Sequence, residues 1–331
     1  MVRNSNLSKA KKAKCDEFYT QLEDIEKELR HYDFTDKTIY CNCDNPNLSN
    51  FYKYFKLNFH YLKINKLICT GYNPDGNGFY GEYDGENEII TQLNSNGDFR
   101  SAECIEFLKE CDVVVTNPPF SLFREYVAQL MEYGKKFLII GNQNAITYKE
   151  IFPYIKNNEL WMGLSMNGSN RWFQAPDDYE VKANAAGYKV VDGKKYYFVN
   201  GVAWFTNIPH NHRNEPLDLF RKYNETDYPK YDNYDAIEVS RVENIPMDYE
   251  GVMGVPITFL YKYCPTQFEI VGCADADIVP TDWKGMSAEF IETYYAQGNT
   301  GSYKEGNRLA SYIHNGIAKV PYKRILIRKL S

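Results

Sequence analysis

Residues 112–120 read DVVVTNPPF, and this stretch decides the fold. Its three successive valines leave no alternation of polar and apolar side chains, which is typical of a strand buried on both faces. Residues 121–133 then show the apolar spacing of a helix, which Gly134 ends. A buried strand that leads directly into a helix predicts an α/β fold with a parallel sheet.

Short apolar runs repeat this arrangement along the chain. They predict further strands, which we place at residues 37–42, 67–72, 136–141, 160–164 and 202–207. Helical patterns between them, such as residues 146–157, predict a Rossmann-like, mostly parallel sheet wound on both faces. The pattern loosens beyond Pro209, so we predict one domain at residues 1–208 and a second region at 209–331.

The tetrapeptide Asn117-Pro118-Pro119-Phe120 follows the valine strand, at the edge where open α/β sheets bind ligands. Two consecutive prolines fix the backbone and make the turn rigid. The Asn117 side-chain oxygen and the Pro118 carbonyl can then each accept one hydrogen of an exocyclic amino group such as adenine N6. This would localise the nitrogen lone pair for attack on a sulfonium methyl group, by positioning and electrostatics alone. Phe120 can stack on a base flipped out of a duplex. The alternative is a rigid turn with no catalytic role.

Three other segments are candidate cofactor contacts. Residues 16–20, DEFYT, offer carboxylates for a charged amine and rings for an adenosyl group, although they also suit an ordinary helix start. Residues 43–46, CDNP, follow the first predicted strand but lack the glycines of a usual cofactor loop. Asp98 and Phe99 can hold an adenine ring or form a surface turn.

Charge and composition limit the partners. A net charge of −6 predicts that any contact with DNA is local. Residues 1–14 carry five basic side chains and no acid, so they can track phosphates or form a solvated tail. Eight cysteines without a CxxC pair predict free thiols in a reducing cytoplasm and no metal site. We expect no membrane segment, since no long apolar span is present.

Together these motifs resemble those of the EcoRI-type adenine-specific DNA methyltransferases. The resemblance lies in residues 9–21, 40–55, 97–103, 112–130 and 135–150, with further matches at 228–239 and 248–260. It implies a class I S-adenosylmethionine-dependent methyltransferase fold with a seven-stranded sheet, S-adenosyl-L-methionine as cofactor and double-stranded DNA as substrate. It also implies a monomer with a restriction endonuclease as genetic partner.

The resemblance implies roles for individual residues. Residues 117–120 match the family's catalytic motif. The implied cofactor contacts are Asp16, Phe18, Tyr19, Thr20, Cys43, Asp44, Pro46, Phe51, Asp98, Phe99 and Asn117. Residues 1–208 would form the cofactor-binding catalytic domain, and residues 209–331 the target-recognition region. Candidate DNA contacts are Lys9, Lys11, Lys12, Lys14, Arg124, Arg171, Lys195, Lys304 and Arg308.

Two other functions stay open at this point. Asn-Pro-Pro-aromatic loops also serve methyltransferases that act on RNA or on protein glutamine, and a relative without activity would only bind DNA. Residues 274–321 match the family least and can hold a recognition element or an ordinary polar loop. The recognised sequence therefore stays open, with GAATTC as the default expectation.

Overall fold

The computed structural model describes residues 20–174, 187–275 and 278–330. The chain divides into two compact units. The first ends at His210 and excludes residues 146–159, which belong to the second unit together with the chain from Asn211 onward. The division after His210 lies two residues beyond the predicted boundary at residue 208, whereas no pattern in the sequence predicted that residues 146–159 join the second unit.

The first unit alternates strands and helices. Its helices are α1 (Leu22–Leu29), α2 (Asn50–Leu57), α3 (Ala102–Glu110) and α4 (Phe123–Glu132). Its strands are β1 (Thr38–Asn42), β2 (Lys66–Gly71), β3 (Phe79–Tyr83), β4 (Glu88–Gln92), β5 (Val113–Thr116), β6 (Lys136–Asn142), β7 (Trp161–Met162), β8 (Ser169–Gln174), β9 (Tyr188–Val191) and β10 (Lys194–Thr206).

These ten strands form one sheet. Its order is β4-β3-β2-β1-β5-β6-β10-β7, and β8 and β9 both pair with β10. The four central strands, β2, β1, β5 and β6, run parallel, whereas β3, β4, β7 and β10 pair antiparallel with their neighbours. The predicted α/β class is confirmed. The sheet has more than the expected seven strands because a hairpin at residues 79–92 and an insertion before β10 add to it.

The parallel centre forms where the sequence is continuously apolar. Every residue of β1 and β5 is buried, as expected for strands covered on both faces. Helices α2 and α3 each begin after a serine, Ser49 or Ser101, whose hydroxyl accepts a hydrogen bond from the backbone amide three residues on. The parallel strands all lead into their loops at one edge of the sheet, so the loops after β1 and β5 lie side by side.

The second unit has its own sheet and core. It contains α5 (Phe152–Lys156), β11 (Ala236–Glu238), β12 (Val252–Pro256), β13 (Phe268–Ala274), α6 (Ala288–Ala296), β14 (Tyr312–His314), β15 (Ile317–Lys319) and β16 (Arg324–Lys329). Its main sheet has the order β11-β12-β16-β13. Within it the nearly buried Arg324 guanidinium lies 2.7 Å from the Glu238 carboxylate.

The described part of residues 274–321 is folded. Helix α6 and the β14–β15 hairpin share a small core of Met286, Phe290 and Ala318. The Gln297 side chain, just after α6, bonds to the Gly316 carbonyl and the Ala318 amide of the hairpin. This segment is therefore not an ordinary polar loop. No helix among the described residues is long and apolar enough to span a bilayer.

A buried carboxylate joins α1 to the chain that leads into β8. Glu28 is fully buried. Its oxygens accept hydrogen bonds from the Tyr32 hydroxyl at 2.8 Å and from the amides of Leu164 and Ser165 at 2.8 and 2.6 Å. The donors satisfy both oxygens of the carboxylate, which is the arrangement that makes burial of such a group tolerable.

We expect Glu28→Gln to lower the free energy of unfolding by about 1–3 kcal/mol, because the amide NH2 would face a backbone N–H and leave it unsatisfied. Tyr32→Phe is the matched control, since it removes one of the three donors and should cost about 0.5–1.5 kcal/mol. Urea unfolding of the three proteins measures both effects. A loss for Glu28→Gln no larger than that for Tyr32→Phe would contradict the role of the two amides.

Candidate functional site

The loops after β1 and β5 meet at the carboxyl edge of the parallel strands. The Thr116 hydroxyl, at the end of β5, contacts the Asn42 carbonyl at the end of β1. The same hydroxyl lies 2.6 Å from the Asp44 carboxylate. Since Asn117 follows Thr116 directly, this contact places the predicted cofactor loop beside the predicted catalytic tetrapeptide.

Asp44 lies in an apolar setting. Its side chain is buried, and burial raises the pKa of its carboxyl group to about 7, although hydrogen bonds from Thr116 and Ser49 partly oppose the shift. The Asp44 amide bonds to the Thr70 carbonyl at 2.8 Å, and the Asp44 carbonyl accepts from the Cys69 thiol at 3.0 Å. The backbone of the loop is therefore held to β2 on both sides of the carboxylate.

The predicted cofactor loop has no glycine, but two glycines lie on the neighbouring strands β2 and β3 where the loop packs against them. A Cβ atom on Gly71 would lie 2.9 Å from the Asn45 Cα, and one on Gly81 would lie 2.6 Å from the Pro46 Cβ. The loop can thus pack against β2 and β3 only because these two positions carry no side chain. Within the loop, Cys43 adopts a left-handed backbone with φ of +61°, and its amide bonds to the Asn42 side chain at 2.8 Å.

Thr20 brings the end of the DEFYT segment to the same loop. Its carbonyl accepts a hydrogen bond from the Asn50 side chain at 2.7 Å, and Asn50 opens α2 directly after the loop. The Thr20 hydroxyl is buried and has no hydrogen-bond partner among the residues that the structure describes. A buried hydroxyl of this kind fits a polar ligand such as S-adenosyl-L-methionine. Asp16, Phe18 and Tyr19 lie outside the described residues.

The first three residues of the tetrapeptide are buried, and the fourth begins a short turn. Asn117 is 5% exposed, and Pro118 and Pro119 are buried. The Pro119 carbonyl accepts a hydrogen bond from the Leu122 amide at 3.0 Å, which closes a 3₁₀ turn at Phe120–Leu122 before α4. Phe120 is partly exposed, with part of its ring packed against the core. A partly exposed ring beside a buried amide suits a site that holds a planar group.

Asp98 and Phe99 are bound to neighbouring side chains. The Asp98 carboxylate pairs with two nitrogens of Arg100 at 2.9 and 2.7 Å, and Arg100 also binds Glu125 of α4. Phe99 is buried edge-on against Tyr126 of α4, with ring centroids 5.0 Å apart. These contacts fix the segment to the helix that follows the tetrapeptide, and their direct contact with a cofactor stays a prediction.

Two of the implied cofactor contacts lie in packed positions. Phe51 is 1% exposed and meets Trp204 edge-on at 6.0 Å within the main core. Pro46 is buried against Gly81 of β3. The family resemblance implied a cofactor contact for both, whereas their surroundings favour a packing role.

The predicted DNA contacts lie in several segments of the chain. Lys9, Lys11, Lys12 and Lys14 lie outside the described residues. Arg171 pairs with Asp24 of α1 at 3.3 Å, and Arg308 donates to the Pro280 carbonyl at 3.0 Å. The remaining candidates are the exposed Arg124 and Lys304 and the half-buried Lys195. Their contact with DNA stays a prediction.

Sequence reasoning missed residues that hold the site together. Thr116 was assigned only to a strand, and Ser49 was not singled out. Gly71 and Gly81 were not singled out either. The signal that could have found the two glycines is their place at strand positions next to the loop after β1, since an interior strand glycine often marks a close backbone approach.

The chain is similar to known type II methyltransferases. A family model described as the adenine-specific methyltransferase EcoRI matches residues 6–330. Type II methyltransferase M.EcoRI of Escherichia coli is 49% identical over 296 residues, which cover 82% of this chain and 90% of that protein. M.MgeORF184P of Mycoplasma genitalium is 42% identical over 273 residues, with coverage of 81% and 86%. M.MpnI of Mycoplasma pneumoniae is 42% identical over 271 residues, with coverage of 80% and 85%.

The raised pKa of Asp44 predicts a stability that depends on pH. The folded chain favours the protonated carboxyl, so its contribution is present at low pH and is lost as the pH rises from the ordinary value of 3.8 to the folded value of about 7. We expect the free energy of unfolding without cofactor to fall by about 2–3 kcal/mol from this group between pH 5 and pH 8.

Asp44→Asn removes the titrating group and nearly preserves its shape. As the pH rises, wild type should therefore lose stability relative to Asp44→Asn. The contributions of other titrating groups are the same in both proteins and cancel in the difference. Denaturant unfolding of both proteins at several pH values measures this difference. A difference that stays constant with pH would show that Asp44 is already ionised at pH 5.

Proposed function

The chain belongs to the EcoRI family of adenine-specific methyltransferases, and we propose that it transfers a methyl group from S-adenosyl-L-methionine to N6 of an adenine flipped out of double-stranded DNA. The observation that supports this mechanism best is the contact of Thr116 with Asp44. It joins the loop proposed to hold the cofactor to the tetrapeptide proposed to hold the base.

The tetrapeptide would activate a weak nucleophile. The lone pair of adenine N6 is delocalised into the ring, so the amino group attacks poorly. In the proposed mechanism the Asn117 side-chain oxygen and the Pro118 carbonyl each accept one N6 hydrogen. The buried position of Asn117 excludes water, which strengthens these bonds, and the rigid turn places both oxygens before the reaction begins.

Residues on the neighbouring loops would hold the cofactor. When bound, S-adenosyl-L-methionine supplies the electrophilic methyl group. Thr20 offers its buried hydroxyl, and the backbone at Cys43 and the carboxylate of Asp44 line the end of β1. Asp98 and Phe99 are proposed to lie near the adenine moiety of the cofactor, at the start of the segment that leads into α3.

Phe120 would receive the flipped base. A base inside a duplex cannot reach the carboxyl edge of the sheet, so the adenine must leave the stack. The Phe120 ring is partly exposed and directly follows the two prolines, where it can stack on the purine. Exposed basic residues, among them Arg124 and Lys304, are proposed to contact phosphates.

The second unit is proposed to read the target sequence. It has a separate sheet and contains the folded segment with α6 and the β14–β15 hairpin. We propose that the protein is a monomer, since each strand of a palindrome can be methylated in a separate event. We also propose that a restriction endonuclease is its genetic partner. The recognised sequence is left to experiment, with GAATTC as the first sequence to test.

The function is tested by comparing substrates. Purified protein with radiolabelled cofactor is incubated with unmethylated genomic DNA, structured RNA and a glutamine-containing protein extract, and the labelled product is digested and identified. We expect N6-methyladenine in duplex DNA at a short repeated sequence. Methyl transfer to RNA or protein alone would contradict the proposal, and binding of DNA without any transfer would leave only a DNA-binding role.

Asn117→Ala should lower kcat for DNA methylation by about a hundredfold or more, because one of the two acceptors is lost where charge develops. Its affinity for the cofactor should change little, which equilibrium binding measures. Asn87→Ala is the matched control, since Asn87 is exposed in the turn between β3 and β4. Wild-type kcat in Asn117→Ala would remove this side chain from the mechanism.

A further inference from the structure

A three-stranded ribbon extends the central sheet at the edge that carries the tetrapeptide. Strand β10 pairs with β6 only from Val202 to Thr206, and Val202 lies opposite Asn142, the last residue of β6. The first half of β10, before Val202, extends past the end of β6 and pairs with β8 and β9 instead. We call β8, β9 and residues 194–199 of β10 the ribbon.

The ribbon begins close to the catalytic loop. Thr116 lies opposite Ile139 in the parallel pair β5–β6, so the remaining residues of β6 run beside the tetrapeptide. The ribbon starts where β6 ends, two strands away from β5, a lateral distance of about 10 Å at the usual strand spacing. Any duplex that presents a base to Asn117 must therefore pass near the ribbon.

One face of the ribbon is aromatic and cationic. Trp172 pairs with Phe198 across β8 and β10, and Lys189 pairs with Tyr196 across β9 and β10. Since residues 196 and 198 of one strand share a face, all four side chains lie together. The Lys189 ammonium lies 4.3 Å from the centre of the Trp172 ring, and the rings of Trp172 and Phe198 are 5.0 Å apart.

The opposite face of the ribbon packs in part against the core. Phe173 is 1% exposed within the main hydrophobic cluster, and Val199 packs against that cluster. Lys195 pairs with Val190 on this side. By contrast, Lys189 is exposed and Phe198 is 36% exposed on the aromatic face. The opposite face also carries a ring pair, Tyr188 and Tyr197, with centroids 5.6 Å apart, but these rings lie beside the buried Phe173, whereas the aromatic face exposes Phe198 and Lys189.

These features fit the substrate. Together with the turn at residues 192–193, the ribbon carries four basic side chains and one carboxylate, that of Asp192, a net charge of +3 in a chain whose total charge is −6. Protein surfaces that bind nucleic acids commonly combine cations with flat aromatic rings. The cation contacts a phosphate, and the rings pack against sugars or bases. We propose that the face formed by Trp172, Lys189, Tyr196 and Phe198 docks the DNA duplex next to the target adenine. This inference rests on the proposed function.

The proposal differs from the contacts expected from sequence. Arg171 and Lys195 were the predicted contacts in this stretch, yet Arg171 pairs with Asp24, and Lys195 lies on the face toward the core. Lys189 takes their place as the cation that meets a phosphate. The rings beneath it hold its ammonium in one position, which lowers the entropy that the contact would otherwise cost.

The test uses Lys189→Gln and Trp172→Ala with a fluorescein-labelled mixed-sequence duplex, and fluorescence anisotropy is measured over a series of salt concentrations. We expect Lys189→Gln to weaken duplex binding about three- to tenfold and to reduce the salt slope by about one, as for one lost phosphate contact. Trp172→Ala should weaken binding about tenfold, because it removes both a stacking surface and the support of Lys189. KM for DNA should rise in both variants, while kcat at saturating DNA stays close to that of wild type.

Lys109→Gln is the matched control for charge. Lys109 is exposed in the last turn of α3, just before β5 begins, so it lies at the opposite edge of the sheet. It should leave binding and the salt slope unchanged. Thermal unfolding and cofactor affinity, measured for each variant, show that the fold and the cofactor site are intact. Lys189→Gln changes only an exposed side chain, so it keeps the test valid even if Trp172→Ala destabilises the ribbon.

Several results would overturn the assignment. Wild-type affinity and salt slope in both ribbon variants would exclude the face, and a larger loss in Lys195→Gln than in Lys189→Gln would assign the contact to the other face. Weaker binding of single-stranded DNA or RNA with unchanged duplex binding would reject the duplex as the partner. If wild type itself transfers no methyl group to DNA, the proposed function fails. If wild type methylates DNA and the variants behave like it, only this inference fails.

Discussion

The hydroxyl of Thr116 is the point on which the site depends. It contacts the Asn42 carbonyl and the Asp44 carboxylate, so two loops from different strands share one buried hydrogen-bonding group. A buried carboxylate without such donors would be costly. The position of Asn117 follows, because it is the next residue in the chain. The proposed cofactor loop and the proposed catalytic loop are thus joined within the folded chain.

Packing around this point explains why the CDNP loop works without glycines of its own. The close approach that a glycine-rich loop achieves by itself is achieved here by its neighbours. Gly71 on β2 and Gly81 on β3 leave room for the backbone of Asn45 and for Pro46, while Cys43 supplies the left-handed turn. The glycines that shape this loop therefore lie outside it, so a search for the usual motif within the loop finds nothing.

The same sheet edge carries both the proposed catalytic loop and the ribbon proposed to dock DNA. Strand β10 is antiparallel to β6 and longer than its partner, so its first half leaves the sheet beside the tetrapeptide. A bulge between Val199 and Val202, with Gly201 at φ of +66°, marks the point where the ribbon begins. The aromatic face with Lys189 is thereby placed near the catalytic loop by strand length and register. In the second unit, the Gln297 side chain fixes a hairpin to α6 in a segment that looked like a polar loop.

The class of fold, the buried strand at residues 113–116 and the diproline turn after it could be predicted from the sequence, because unbroken valines and paired prolines act locally. The sequence also placed Asp44 and Thr20 as candidate contacts through family resemblance. Only the tertiary structure decided that Thr116 joins the loops, that Phe51 packs against Trp204, and that Lys189 rather than Arg171 or Lys195 stands on the exposed face of the ribbon. These facts depend on the register between strands and on contacts between residues far apart in the chain. A one-residue change of register moves every side chain of a strand to the other face, and no local pattern in residues 169–200 fixes that register.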